Sequence, residues 1–275
     1  MADLEGILRS FTLKPAGDDR YTADNVEATH GVIFGGHLLA QTILAALEGT
    51  DGKRVKTVHT VFARGGSAEA PVEIAVDRMH TGRALASSTV TISQGDRLCT
   101  RSLVLMSADE PDFIHHADTP PAVSDPDASK PVDHIDGWDI RVVGDVDISD
   151  PDLVGPPTLD VWTRFPGAPR DPGVDQALLA FASDGFLIGT AMRPHAGVGQ
   201  AQAHVTLSTG VLSHTLTFHE PFAADEWLLM AHRSPFAGHG RCYGQASVFG
   251  PGGALVASYV QDAMIRPRQG TPGAL

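Results

Sequence analysis

Two cysteines in 275 residues, Cys99 and Cys242, are too few for a disulfide framework. They lie in strand-like apolar runs and read as core residues. Lysine is scarce as well: Lys14, Lys53, Lys56 and Lys130 are all there are, and the basic residues form no run. With 20 basic and 33 acidic side chains the net charge is −13. That excludes the clustered cationic surface a duplex nucleic acid requires. Aromatic residues make up only 6%, so the core must be mostly aliphatic. No stretch of about 18 apolar residues is present to span a bilayer as a helix. The opening Met-Ala-Asp-Leu-Glu has neither the basic nor the apolar region of a signal peptide. A GxSxG nucleophile elbow is missing. The 13 histidines show no HExxH or His-x-His spacing, so scattered surface histidines are a better reading than a metal site. Gly197-Val198-Gly199 lacks the third glycine of a dinucleotide loop. These absences leave a soluble, acidic, cytoplasmic protein with no metal or other cofactor, no nucleic-acid partner and no membrane span.

A hydrophobic share of 42% with 19% charged residues is the balance of a globular chain with ample core. Residues 108–136 break the pattern: they are rich in Pro, Asp and Ser and carry no apolar periodicity, as a linker or long surface loop does. They separate residues 1–107 from residues 137–275. The two parts repeat one another in outline. Each has an apolar helix-like run, Gly36–Leu47 in the first and Asp175–Met192 in the second. Each then has a β-rich segment with His-Thr and Phe, Val58–Phe62 and Ser213–Phe218. Each ends in two strand-like runs about a glycine turn: ALASSTVTIS with RLCTRSLVLM, and RCYGQASVF with ALVASYVQDAMI. One helix followed by antiparallel strands, twice over, predicts an α+β chain in which two curved sheets each wrap a helix, a double hotdog.

The repeats differ at two polar positions. Aligned through Leu38-Leu39-Ala40 and Leu178-Leu179-Ala180, Asp184 falls opposite Leu44. Aligned through Leu98 and Leu255, Gln261 falls opposite Val104. A carboxylate inside an apolar element needs partners, solvent or a use, because burying it unpaired costs several kcal/mol. Two bland alternatives stand beside this: Asp184-Gly185 as a plain helix end, and Gln261 as a polar residue satisfied by backbone. The continuing apolar residues Phe186, Leu187, Ile188 and Met192 predict a helix that passes Gly185. Gly35, Gly36 and His37 open the first helix, where free amides and the helix dipole favour negative charge and could hold an oxyanion. A plain turn into the helix is the alternative. Ser213 and His214 are neighbours on a strand and face opposite ways, so they cannot form a serine–histidine pair.

Five segments carry a family resemblance: FGGHLLAQTILAA (34–46), VHTVFARGG (58–66), AFASDGFLI (180–188), HTLTFHEPFAADEWLL (214–229) and LVASYVQDAMIR (255–266). With them the chain resembles type II acyl-CoA thioesterases, the TesB-like double-hotdog enzymes. The resemblance implies hydrolysis of acyl-CoA to a free acid and CoA, with catalytic residues in the second hotdog. It assigns Asp184 and Gln261 to the water-holding pair. The family's third residue, a Thr or Ser, falls on Val211, and Thr209 is the substitute expected two residues away. Gly36 and His37 are then the expected substrate-binding amides, and Arg64, Arg83 and Arg241 are candidates for the CoA phosphates. A homo-oligomer is expected, since double hotdogs offer sheet edges and faces that commonly pair. The lost hydroxyl motivates one rival, an acyl-CoA-binding protein with impaired catalysis. A hotdog hydratase is excluded because no Asp is followed by His five residues later.

Overall fold

A computed structural model describes residues 3–26, 31–50, 52–132 and 135–268. A short helix α1 (Leu4–Ser10) and a hairpin of β1 (Lys14–Gly17) and β2 (Arg20–Ala23) precede the first central helix, α2 (Gly35–Leu47). Four strands follow: β3 (Arg54–Phe62), β4 (Val72–Thr81), β5 (Leu85–Gln94) and β6 (Arg97–Ser107). After the exposed stretch 108–125 come β7 (Asp139–Val142), β8 (Thr158–Arg164), helices α3 (Pro172–Ser183) and α4 (Leu187–Met192), then β9 (Leu207–Phe218), β10 (Leu228–Gly238), β11 (Arg241–Phe249) and β12 (Leu255–Pro267). The strand pairs expected from the sequence correspond to β5 with β6 and β11 with β12.

Among the described residues, twelve strands join one antiparallel sheet in the order β1-β2-β4-β5-β6-β3-β9-β12-β11-β10-β8-β7. The order reads as two copies of one arrangement meeting at β3 and β9, and this is the double hotdog. Alternate residues of β5 and β6 are buried, because one face of the sheet packs on helices while the other meets water. Helices α2 and α3 are buried on nearly every side and pack on each other, which explains why their apolar residues are not confined to one stripe.

Two details depart from the sequence reading. The run Asp175–Met192 is two helices: α3 stops at Ser183, Asp184 is its C-cap, and α4 begins at Leu187. The helical backbone is interrupted at Phe186 (φ −121°, ψ −23°), while the apolar side chains of Phe186 and Leu187 continue into the core. The two His-Thr segments do pair across the seam, His59 opposite Thr215 and Thr60 opposite His214. Opposed residues share a face, so the two histidines point to opposite sides of the sheet: His59 is exposed and His214 is buried.

Candidate active site

Helix α3 is started by Asp171, whose carboxylate accepts from the amides of Gly173 (2.9 Å) and Val174 (3.0 Å), with Pro172 at the first helical position. Thirteen residues after Asp171 it delivers Asp184 to the first turn of α2. Gly35 and Gly36 allow the approach. A Cβ on Gly36 would sit 2.3 Å from the carbonyl oxygen of Phe181, and one on Gly35 would sit 2.8 Å from Asp184 Oδ2. These glycines serve a close helix crossing rather than a turn.

Asp184 Oδ2 accepts from the Gly36 amide at 3.0 Å, and Oδ1 accepts from Gln261 Nε2 at 3.0 Å. Asp184 and Gln261, 77 residues apart in sequence, therefore meet. The carboxyl lies between two helix ends of opposite sign. The C-terminus of α3 disfavours its charge, while the amide at the N-terminus of α2 favours it. Burial dominates, pushing the pKa up to about 7 against the lowering effect of the Gly36 hydrogen bond. A carboxyl with that pKa can accept a proton near neutral pH.

Gln261 is 1% exposed. Both its N–H groups are used: one on Asp184, the other on His214 Nδ1 at 3.4 Å. Its Oε1 is buried and has no partner among the described residues. An unpaired buried acceptor costs about 1–3 kcal/mol, so Gln261 Oε1 calls for a hydrogen-bond donor beside Asp184, a role that suits a water.

The other expected site residues fare differently. Thr209 pairs with Ile265, four residues along β12 from Gln261 and thus about 13 Å away. It cannot touch the same water, and the expectation for it is corrected. A bulge at Leu212 sets Val211 opposite Ala263, on the same face as Gln261, so an apolar side chain stands where the resemblance leads one to expect a hydroxyl. The Gly36 amide is taken by Asp184, and the His37 amide bonds to the Phe34 carbonyl at 3.0 Å. Neither is free for a substrate oxygen. The His37 ring is 2% exposed and stands edge-on to Phe11 at 5.6 Å, and burial pulls its pKa down to about 4. It is a neutral core residue. Gly35, the first residue of α2, has an amide without a partner among the described residues.

Sequence reasoning missed the polar layer beneath this pair. His214 and His232 are 1% and 2% exposed, so they are not surface histidines. Tyr259 stacks on His214 with ring centroids 5.3 Å apart, and its hydroxyl meets His232 Nε2 at 2.6 Å. The available signal was the strand period: Tyr259 and Gln261 are two apart and share a face. Cys99 and Cys242 are buried and free, as expected of core residues.

Profiles of the acyl-CoA thioesterase N-terminal and C-terminal domains match residues 23–107 and 111–265. The chain is 27% identical to acyl-coenzyme A thioesterase 8 of Mus musculus, over 96% of this chain and 92% of that one. It is 24% identical to acyl-CoA thioesterase 2 of Haemophilus influenzae, over 96% and 98%. Among solved structures, the acyl-CoA thioesterase II TesB2 of Mycobacterium marinum superposes with a TM-score of 0.80 at 28% identity, over 96% and 98% of the two chains. With both domains matched in order along one chain, this protein belongs to the acyl-CoA thioesterase family.

Proposed function

We propose that this thioesterase hydrolyses acyl-CoA with a water held between Asp184 and Gln261. Asp184 removes a proton from the water as its oxygen adds to the thioester carbonyl carbon. The carbon–sulfur bond then breaks, and the proton passes to the departing CoA sulfur. Gln261 Oε1 accepts a hydrogen bond from the water's other O–H and so aims it. The Gly35 amide, beside Asp184 at the positive end of α2, is the donor for the developing oxyanion. One observation carries this reading: a half-buried carboxyl whose pKa is pushed up to about 7 is joined to a glutamine whose acceptor oxygen has no partner among the described residues.

The intact Asp184–Gln261 pair favours catalysis over a non-catalytic binder, since Val211 removes only a third contact. Of the candidate arginines, Arg64 and Arg241 lie toward the end of the sheet that Phe62 and Cys242 mark. Arg83 lies about 23 Å the other way from the row of Thr60, His214 and Gln261. Arg64 and Arg241 are therefore the phosphate contacts in this reading.

The test is release of CoA from short, medium and long acyl-CoAs, read with a thiol reagent. Asp184→Asn and Gln261→Ala should each lose at least about 100-fold in turnover. Undiminished turnover in both would remove the site assignment.

The proposal also includes two hotdog units, 1–107 and 137–275, joined by 108–136. The lack of helix or strand over 108–125 supports it, and limited proteolysis would test it. No helix among the described residues is long and apolar enough to cross a membrane. Cytoplasmic residence and a homo-oligomer complete the reading, checked by fractionation and light scattering.

A further inference from the structure

The amide of Gln261 can serve Asp184 only one way round. If it flipped, its oxygen would face the carboxylate oxygen and its N–H would face the water. A glutamine amide is nearly symmetric in shape, so packing alone does not choose between the two orientations. Hydrogen-bond partners must choose, and here they form a directed chain. The Ser183 hydroxyl donates to the Ala180 carbonyl at 2.8 Å. Its single proton is then used, so toward His214 Nε2, 3.1 Å away, it can only accept. His214 therefore carries its proton on Nε2, and Nδ1 is left as an acceptor. Nδ1 takes one N–H of Gln261 at 3.4 Å, while the other goes to Asp184 Oδ1.

We infer that His214, oriented by Ser183, is a positioning residue that fixes the amide of Gln261 with its nitrogen on Asp184 and its oxygen toward the water. This rests on the function proposed above and adds residues that act on the reaction without touching substrate. The chain requires a neutral ring. Burial draws the pKa of His214 down to about 3, so the ring stays neutral throughout the working range. Stacking on Tyr259 holds the ring plane, and Ser183 is fully buried, so neither partner has an alternative in solvent.

The titratable groups around Asp184 come from three strands: His214 on β9, His232 on β10 and Tyr259 on β12. Both histidines are held neutral by burial, His232 at about 4, and burial raises the Tyr259 hydroxyl well above its usual value. Asp184 is therefore the one of these that changes charge near pH 7, and the acid limb of kcat/KM reports on it. A donated hydrogen bond from Gln261 favours the ionised carboxyl. Letting the amide flip removes that bond, so the limb must move to higher pH.

The experiment measures kcat, KM and the acid limb with one acyl-CoA for the wild type and for Ser183→Ala, His214→Leu and His214→Asn. Asparagine can set its side-chain oxygen where Nδ1 stands; leucine cannot. The expected result is a kcat loss of about tenfold or more in Ser183→Ala and His214→Leu, with KM within about twofold and the acid limb shifted upward. His214→Asn should recover most of the kcat and return the limb toward its original place. Ser183→Ala removes a single oxygen and carries the test if His214→Leu fails to fold. A wild-type profile in Ser183→Ala, or a fall in kcat with the acid limb unmoved, overturns the inference. Asp184→Asn, run alongside, separates the two levels. If it retains turnover the proposed function fails, whereas its loss together with an unmoved limb in Ser183→Ala defeats only the positioning role.

Discussion

Asp184 stands at the C-terminus of one helix, where a negative charge is disfavoured, and its compensation comes from the other repeat through the Gly36 amide. Its pKa of about 7 has a consequence for stability as well as for chemistry. The unfolded chain ionises this carboxyl near pH 4, whereas the folded chain keeps its proton until about 7. Between those values the folded state binds more protons, so stability contributed by the protonated group is lost as pH rises and is gone above 7. An isosteric Asp184→Asn does not titrate. Urea unfolding of both proteins should show the variant gaining on the wild type between pH 4 and 8, by at most about 4 kcal/mol. A difference independent of pH would mean that the carboxyl is not shifted. Arg64 offers a second prediction at this scale. It is exposed and two residues past Phe62, whose ring lies against Gly35. Arg64→Ala should raise KM for acyl-CoA about three- to tenfold with kcat little changed, since a lost phosphate contact weakens binding uniformly. A fall in kcat alone would contradict that role.

The crossing of α2 and α3 is what brings the carboxyl to the amide, and Gly36 is its tightest point. Gly36→Ala places a methyl 2.3 Å from the Phe181 carbonyl oxygen, a backbone atom that cannot rotate aside. The helices must part, at a cost of about 3 kcal/mol. Thermal unfolding should show a clear drop in Tm, and turnover should fall further because the amide leaves Asp184. Retained stability and activity would show that the crossing tolerates the shift. Legibility in the sequence follows the same lines. Strands β5, β6, β11 and β12 alternate and are bounded by turn residues, so their pattern is visible locally. The break after Ser183 is not, because the apolar run of α3 resumes directly beyond it at Phe186, Leu187 and Met192. Asp184 and Gln261 stand out as polar residues in apolar elements, whereas Thr209 is only a hydroxyl two residues from Val211 in sequence, and the register of β9 on β12 sets it four residues from Gln261. The His214 chain depends on β9 lying between β3 and β12, a pairing that no local pattern states.

Across the whole molecule, the halves are joined by more than the β3–β9 ladder. Gln176 on α3 donates to the Val55 carbonyl at 2.7 Å and accepts the Val55 amide at 3.1 Å, so a side chain of the second repeat completes the backbone pairing of the first. Gln176→Leu strands two buried backbone groups, and denaturant titration should find it about 2–4 kcal/mol less stable. A neutral result would mean that another group takes over the pairing. The site has the same two-part origin: Gly35 and Gly36 come from one repeat, Asp184 and Gln261 from the other. Its central claim is that Asp184 removes the proton from water, and the pH dependence of kcat/KM for CoA release tests it most directly. The wild-type rate should fall below a midpoint near pH 7, and Asp184→Asn should be at least about 100-fold slower with that limb absent. A rate that stays flat down to pH 5, or an Asp184→Asn enzyme of wild-type speed, would contradict it.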